Sequence, residues 1–309
     1  MSMAIIVHGG AGTVTPDRVE IVQAGCKEAV LIGWGVLENG GSALDAVEAA
    51  VRALENNPNY NAGTGAYLTA DGRIELDAGI MEGKGLRVGA VASVEFIKNP
   101  ISLARKVMDS PHVLLVGQGA QTFAQEQGIP LCTFEDLLTE RQYLKWKEAQ
   151  SEEATSQEEP RYHRREVNAR PGQKKKHGTV GAVAVDSTGI LAAATSTGGV
   201  PNKYPGRIGD SPLVGCGFYA DENAAISCTG HGEDFIRLLI AKRAADFVAS
   251  GITARDAAEA TIAVLGVKAD GTGGLIVVDW LGNVGFAWNS ENMVHAYMTE
   301  NLVEPIAGV

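Results

Sequence analysis

Thr179 follows Gly178 at the point where a charged stretch of the chain gives way to a short apolar run. A threonine hydroxyl is a weak nucleophile until a base activates it. Cutting the bond between these two residues would give Thr179 a free α-amine, a group whose pKa is roughly 7.7–8.0. Nucleophile and base would then share one residue. Because an isolated Gly-Thr pair more often just begins a strand, this prediction depends on the residues downstream.

The first downstream candidate is Thr197, in the cluster Thr195-Ser196-Thr197. If the run after Thr179 is one strand of a hairpin, the return strand brings this cluster back beside it. The hydroxyl of Thr197 would then hydrogen-bond the nucleophile. An ordinary strand end rich in Ser and Thr explains the cluster equally well.

A loop rich in Pro and Gly next carries Arg207 and Asp210. A guanidinium matches the geometry of a carboxylate, and an aspartate matches an ammonium, so the two residues suit the two charges of a free amino acid. The alternative is that Arg207 and Asp210 pair with each other at the surface, which is common and contributes little. Spacing alone favours this alternative.

The segment Thr229-Gly230-His231-Gly232 leads from an apolar run into a helical pattern. A turn of this kind exposes N–H groups at a helix start, where a developing oxyanion can be stabilised. The Gly230 N–H and the Thr229 hydroxyl are the predicted donors. For His231, the sequence favours a place in the turn or on the rim of the site over a role in proton transfer.

The elements that must hold these residues are hairpins and pairs of helices. Short extended runs flank turns that contain Asp, Asn and Gly, which predicts hairpins over 66–77, 183–194 and 275–288. Apolar residues at three- and four-residue spacing predict helices over 17–38, 42–56, 233–249 and 253–265. Since strands follow strands and helices follow helices, we expect an α+β protein with helices on the outer faces of antiparallel sheets.

The stretch 140–176 is dense in Arg, Lys, Glu and Gln and ends in three lysines. Its apolar content is too low to bury much surface, which predicts a mobile linker. Long loops inside compact domains are uncommon unless they are functional or disordered. This one ends just before the bond that we predict to be cut, so it would separate the two pieces of one folded domain.

Composition and charge exclude several other functions. The net charge of −11 and the pI near 5.1 disfavour nucleic acid as a partner. No apolar run reaches the ~18 residues that a membrane helix needs, and the first residues do not resemble a signal peptide. The four widely spaced cysteines are expected to be free thiols, so we expect a cytoplasmic protein. The Gly-rich run 9–12 fails the dinucleotide-binding pattern, and no organic cofactor is expected.

Five sequence blocks, in this order, resemble the plant-type asparaginases, also called isoaspartyl peptidases/L-asparaginases, within the N-terminal-nucleophile hydrolases. The blocks are His8-Gly9-Gly10-Ala11-Gly12, Asn61-Ala62-Gly63-Thr64-Gly65, His177-Gly178-Thr179-Val180-Gly181, Gly206-Arg207-Ile208-Gly209-Asp210-Ser211-Pro212 and Thr229-Gly230-His231-Gly232-Glu233. The likeness covers almost the whole chain. It implies a four-layer αββα sandwich of two antiparallel sheets, made as a precursor that cuts itself before Thr179. The α fragment would be residues 1–178 and the β fragment residues 179–309.

The resemblance also implies roles for the matching positions: a nucleophile with its support, an oxyanion hole, and a grip on the α-groups of an aspartyl substrate. Thr179 would be the nucleophile, supported by Thr197 and Asn61. Thr229 and Gly230 would form the oxyanion hole. Arg207 and Asp210, together with Gly232, would hold the α-groups of the substrate. The implied substrates are L-asparagine and isoaspartyl dipeptides or short peptides.

The loop that ends at Thr64 resembles the sodium-binding loop of this family. Backbone carbonyls would coordinate a structural sodium ion, from Leu54, Glu55, Asn57, Tyr60, Ala62 and Thr64. The resemblance further implies a dimer of αβ heterodimers. Glycosylasparaginases are the nearest alternative, although they usually have Asp before the nucleophile and are often exported. A threonine endopeptidase and a non-catalytic protein that kept the fold are weaker alternatives.

Overall fold

The computed structural model describes residues 2–155 and 178–309, with side chains for all of these except 152–155. The strands in this part of the chain are β1 (Ala4–Gly12), β2 (Leu76–Glu82), β3 (Arg87–Val94), β4 (Leu114–Val116), β5 (Val180–Val185), β6 (Leu191–Thr197), β7 (Phe218–Ala220), β8 (Ala224–Gly230), β9 (Gly273–Asp279), β10 (Val284–Trp288), β11 (Asn292–Thr299) and β12 (Ile306–Gly308). The α-helices are α1 (Val19–Glu38), α2 (Ala43–Asn56), α3 (Pro100–Met108), α4 (Gly117–Glu126), α5 (Phe134–Leu137), α6 (Glu140–Thr155), α7 (Gly232–Leu238), α8 (Ile240–Ala249) and α9 (Ala254–Ala269).

The strands form two sheets. The large sheet has eight strands in the order β12-β11-β1-β5-β6-β2-β3-β4, and the small sheet has four in the order β10-β9-β8-β7. Neighbouring strands are antiparallel, as predicted, except for β3 and β4, which pair in parallel. The helix α3 lies between these two strands in the chain, and a crossover of this kind is what a parallel pair requires.

Helices cover the outer faces of both sheets, which confirms the four-layer arrangement. The helices α1, α2 and α3 pack on the large sheet, and α8 and α9 pack on the small one. Both faces of β5 are buried, because Val180 and Ala182 point toward the helices whereas Val183 and Val185 point toward the small sheet. Odd-numbered side chains of β5 and β6 therefore face the space between the sheets. No helix in the described ranges is both long and apolar enough to cross a membrane.

Two of the three predicted hairpins are confirmed, as β5–β6 and β9–β10. The prediction over 66–77 is wrong as a strand pair. Thr69 N does donate to Arg73 O at 2.8 Å, but β2 begins only at Leu76 and pairs with β3 and β6. Side chains also stabilise this turn, since Thr69 and Arg73 both donate to the Asp71 carboxylate.

The predicted helices over 17–38 and 42–56 correspond to α1 and α2. Likewise, the helix predicted over 253–265 corresponds to α9, which continues to Ala269. The single helix predicted over 233–249 is wrong, because the chain breaks at Leu239, with φ +51°, between α7 and α8. A residue in the left-handed region cannot continue a right-handed helix, so the chain changes direction there.

The mobile linker predicted over 140–176 is wrong for its first part, which forms α6. Gln142 and Trp146 donate side-chain hydrogen bonds to carbonyls of the 65–69 loop, at 2.7 and 3.0 Å. The helix therefore docks by satisfying backbone carbonyls, and its low apolar content does not prevent this. The remainder of the predicted linker, 156–176, lies outside the described residues.

Candidate active site

Thr179 stands immediately before β5 and faces the space between the two sheets. Its Oγ1 donates to Thr197 Oγ1 at 3.2 Å, and the Gly199 N–H donates to the same Thr197 oxygen at 3.0 Å. Thr179 is 6% exposed. The hairpin thus brings the two threonine hydroxyls together, as the sequence predicted. Val180 pairs with Ser196, so Thr179 lies opposite Thr197 just beyond that pair, and opposite residues share a face of the sheet.

Glycines allow close packing around the bond that precedes Thr179. A Cβ on Gly178 would lie 2.7 Å from the Asn61 Cβ, and one on Gly10 would lie 2.9 Å from the Gly178 Cα. Asn61 was expected to contact the nucleophile. Its amide donates to the Gly199 carbonyl at 2.7 Å, and its Cβ lies beside Gly178, the residue before Thr179.

A small pocket opens beside Thr179. Six of the predicted site residues share its wall, namely Gly178, Thr179, Thr197, Arg207, Asp210 and Gly230. They come from the residues just before β5, the end of β6, the loop after β6 and the end of β8, so the folded chain assembles one site from segments that are far apart in sequence.

Arg207 is paired with Glu233 and not with Asp210, so the surface pair that spacing favoured does not form. Arg207 Nε and Nη2 donate to the two Glu233 oxygens at 2.9 and 2.7 Å. Burial alone would raise the pKa of Glu233, but the hydrogen bonds and charge of Arg207 lower it to about 2. Because a guanidinium has five donors, the Nη1–Nη2 end of Arg207 can still bind a second carboxylate.

Asp210 is the buried acid of the pocket. It is 3% exposed, and within the described ranges its Oδ2 has no hydrogen-bond partner. Burial raises the pKa of Asp210 to about 7, against the opposing effects of its own backbone N–H and of Arg207. An unpartnered buried carboxylate oxygen is costly, so this atom is suited to a cationic donor entering the pocket.

Thr229 and Gly230 end strand β8 beside the pocket. Thr229 Oγ1 accepts from the Ala11 N–H at 3.1 Å, which leaves the hydroxyl hydrogen of Thr229 to be donated elsewhere. A side chain on Gly230 would collide with the Phe235 ring. Gly230 lines the pocket, and the role of the two residues as donors to an oxyanion stays a prediction.

Gly232 and His231 border the site from the start of α7. A Cβ on Gly232 would lie 2.9 Å from the Asp210 backbone nitrogen, so only glycine lets the two segments approach this closely. His231 Nδ1 lies 2.9 Å from Asp234 Oδ2, and Nε2 lies 3.3 Å from the Glu233 carboxylate. His231 thus lies in the turn that leads into α7.

His8 is a residue to which sequence analysis assigned no role. Its Nδ1 lies 3.1 Å from the Thr179 carbonyl oxygen and its Nε2 lies 2.9 Å from Ser227 Oγ. Two signals were available, since His8 opens the first family block and shares a strand face with Ala4 and Ile6, which pack between the sheets.

Backbone carbonyls pack closely around Gly63 and Gly65 in the predicted sodium loop. A Cβ on Gly63 would lie 2.5 Å from Glu55 O and 2.8 Å from Lys98 O, and one on Gly65 would lie 2.9 Å from Tyr60 O. Oxygen atoms are the ligands of hard cations. Carbonyl oxygens of this loop are therefore ligands of the right type, and the sodium site itself stays a prediction. Among the described residues no cluster of His, Cys, Asp and Glu side chains could hold a metal ion.

The helix that leads into this loop, α2, also carries a buried carboxylate. Glu55 is fully buried and accepts hydrogen bonds from Ser196 Oγ at 2.7 Å, Ile101 N at 3.0 Å and Asn99 Nδ2 at 3.0 Å. Burial raises the pKa of Glu55 to about 8. The side chain joins the loop to β6 on the face opposite Thr197.

Glu55→Gln is expected to make thermal stability less dependent on pH. The folded protein keeps the Glu55 proton to about pH 8, whereas the unfolded chain releases it near ~4.3. Stability therefore falls as pH rises between these values, and glutamine has no such proton to lose. The Tm of the variant relative to wild type should rise by about 5 °C between pH 5 and pH 9, measured by scanning calorimetry. Parallel curves for the two proteins would contradict this, and Glu28→Gln, at an exposed position, is the control.

Comparison with known proteins supports the resemblance drawn from the five blocks. A family model described as asparaginase matches residues 1–307. A plant-type L-asparaginase of Pyrococcus horikoshii is 50% identical over 99% of this chain and 100% of its own. An isoaspartyl peptidase/L-asparaginase of Rattus norvegicus is 44% identical over 95% of this chain and 85% of its own. One of Bos taurus is 43% identical over 95% and 92%.

Proposed function

Because the chain belongs to the asparaginase family, we propose that it hydrolyses the side-chain amide of L-asparagine and the β-peptide bond of isoaspartyl peptides. Relatives that match nearly the whole chain are named for these two reactions. The observation that carries the proposal is one pocket that unites Thr179 with Arg207 and Asp210. A hydroxyl and two opposite charges are what such substrates require.

The two charged residues would hold the substrate by the groups that every free aspartyl residue has. The Nη1–Nη2 end of Arg207 would bind the α-carboxylate, and Asp210 Oδ2 would accept from the α-ammonium. Glu233 orients Arg207 through its bidentate pair. Held at both α-groups, the substrate would present its side-chain carbonyl carbon to Thr179.

Before it can act on substrate, the chain would cut itself into an α fragment, 1–178, and a β fragment, 179–309. Thr179 Oγ would attack the Gly178 carbonyl carbon, the peptide C–N bond would break to leave an ester, and water would hydrolyse that ester. The close packing of Gly178 against Gly10 and Asn61 supports this step, because it confines the carbonyl next to the hydroxyl. The product is a free Thr179 amine.

Hydrolysis would use that amine as the base. It would take the proton of Thr179 Oγ as the oxygen attacks the substrate carbonyl, and it would return the proton to the departing nitrogen as the C–N bond breaks. Base assistance contributes about 10²–10⁴ in rate. The Gly230 N–H and the Thr229 hydroxyl would stabilise the oxyanion, where one donor is worth roughly 10²–10³. Water would then release aspartate from the acyl-enzyme, and Thr197 would hold the nucleophile throughout.

The remaining features of the proposal concern structure and location. A sodium ion would be held by backbone carbonyls of Leu54, Glu55, Asn57, Tyr60, Ala62 and Thr64 and would stabilise the loop that carries Asn61. Two αβ heterodimers would form the active dimer, as the family resemblance implies, without an organic cofactor. The four cysteines are free, which supports the cytoplasm as the compartment.

Three substrates test the proposal. Aspartate release is measured with L-asparagine, with β-Asp-Leu and with glycosylated asparagine, after mass spectrometry has shown a fragment that begins at Thr179. We expect release from the first two and much less from the third. Preference for the glycosylated substrate would instead support a glycosylasparaginase, and no release from any of them would leave a non-catalytic protein.

A further inference from the structure

A chain of buried polar groups joins the backbone of Thr179 to β6 and β8. His8 Nδ1 lies 3.1 Å from the Thr179 carbonyl oxygen, and His8 Nε2 lies 2.9 Å from Ser227 Oγ. Ser227 Oγ in turn lies 3.0 Å from Thr195 Oγ1. The four residues are at most 6% exposed, so their polar groups need hydrogen-bond partners within the protein.

The chemistry at the end of the chain decides the direction of each bond. The Thr179 carbonyl can only accept, so His8 Nδ1 must carry a proton. Burial lowers the pKa of His8 to about 3, and Nε2 is therefore unprotonated at neutral pH. Nε2 accepts from the Ser227 hydroxyl at 2.9 Å, a shorter contact than the 3.2 Å from that hydroxyl to the Ala194 carbonyl, and Ser227 can accept from Thr195. A single tautomer of His8 satisfies this arrangement.

The His8 imidazole acts where the regular pairing of β1 and β5 stops. That ladder ends with His8 opposite Gly181, and the register of β1 against β11 shifts between His8 and Gly10. Thr179 lies beyond the last pair, so a side chain replaces the missing backbone donor. The anchor matters most once Thr179 is a chain start, because chain ends fray unless they are tied down.

We propose that His8 is a positioning residue, which holds the carbonyl of Thr179 and so keeps its hydroxyl against Thr197 and aimed at the substrate. This inference rests on the proposed function. A misplacement of about 1 Å can cost 10²-fold in rate. The loss should appear in kcat and not in KM, because other residues, Arg207 and Asp210, hold the α-groups of the substrate.

A matched pair of amides tests the donor. His8→Asn places an amide nitrogen near the position of Nδ1, whereas His8→Gln extends it toward that of Nε2. We expect His8→Asn to retain kcat within about tenfold and His8→Gln to lose about 10²-fold, with KM changed less than about threefold in both. If His8→Gln is cut too slowly for kcat to be measured, the rate of cleavage before Thr179 is compared between the two variants in its place. Equal losses in the two variants, or a loss confined to KM, would overturn the proposal.

Further measurements separate this role from simple stability and from the function itself. The two variants should have similar Tm values, so a kcat difference cannot come from unfolding. A wild type that is neither cut nor active contradicts the proposed function, whereas an active wild type with equal variants contradicts only the role of His8. If neither variant folds, nitrogen NMR of the wild-type imidazoles decides, with Ser227→Ala to identify the signal. A proton on Nε2 of His8 would refute the assignment.

Discussion

Thr179→Ala is expected to leave the chain in one piece and to abolish aspartate release, whereas Thr179→Ser is expected to be cut and to retain measurable activity. Alanine lacks the hydroxyl oxygen that is proposed to attack first Gly178 and later the substrate. Serine keeps that oxygen and its contact with Thr197, although it loses the methyl group that restricts χ1. Loss of a catalytic nucleophile costs on the order of 10⁶ in kcat, so Thr179→Ala should fall to background.

Intact-mass spectrometry and an aspartate assay on the same samples measure both parts of this prediction. The Tm of the uncut Thr179→Ala protein shows whether it has folded, since the buried Thr179 contact is small. An alanine variant that is still cut before residue 179, or that retains activity, would remove the basis for the proposed mechanism. Thr188→Ala, in the turn between β5 and β6, is a control that leaves the nucleophile intact.

Asp210→Asn is expected to reduce kcat/KM for L-asparagine by about 10²–10³, mainly through KM. Removing one partner of a buried ion pair costs about 3–5 kcal/mol, and the proposed partner here is the α-ammonium of the substrate. Succinamate lacks that ammonium, so wild type and Asp210→Asn should differ little on it. Steady-state kinetics with the two substrates therefore isolates the contact from any general loss of activity. Equal losses on both substrates would show that Asp210 does not bind the amine.

The same residue predicts a pH dependence of substrate binding. Because burial raises the pKa of Asp210 to about 7, the free enzyme protonates this carboxyl as pH falls through that value. KM for L-asparagine should therefore rise below about pH 7, and this rise should be absent in Asp210→Asn. Glu222→Gln, a change at an exposed position, should keep the wild-type dependence of KM on pH.

Local pattern was enough to predict the relation between Thr179 and Thr197. Their runs alternate between faces with a period of two, and a short turn joins them, so the paired strands must place both hydroxyls on one side. The blocks of sequence around Gly178 and Gly230 helped to identify the family for a different local reason. Tight turns and close approaches limit which residues fit, and that limit is visible without coordinates.

Other features could not be predicted, because they depend on what closes over a residue from elsewhere in the chain. Spacing paired Arg207 with Asp210, whereas the fold supplied Glu233 as the partner and left Asp210 buried. Composition predicted a linker where α6 docks, since counting apolar residues does not register hydrogen bonds to distant carbonyls. The periodicity of strands and helices is set by neighbours along the chain, so the sequence by itself determined most of the elements and the family, and it predicted the nucleophile. The burial, charge and hydrogen-bond partners of each site residue arise from long-range packing, and only the tertiary structure decided them.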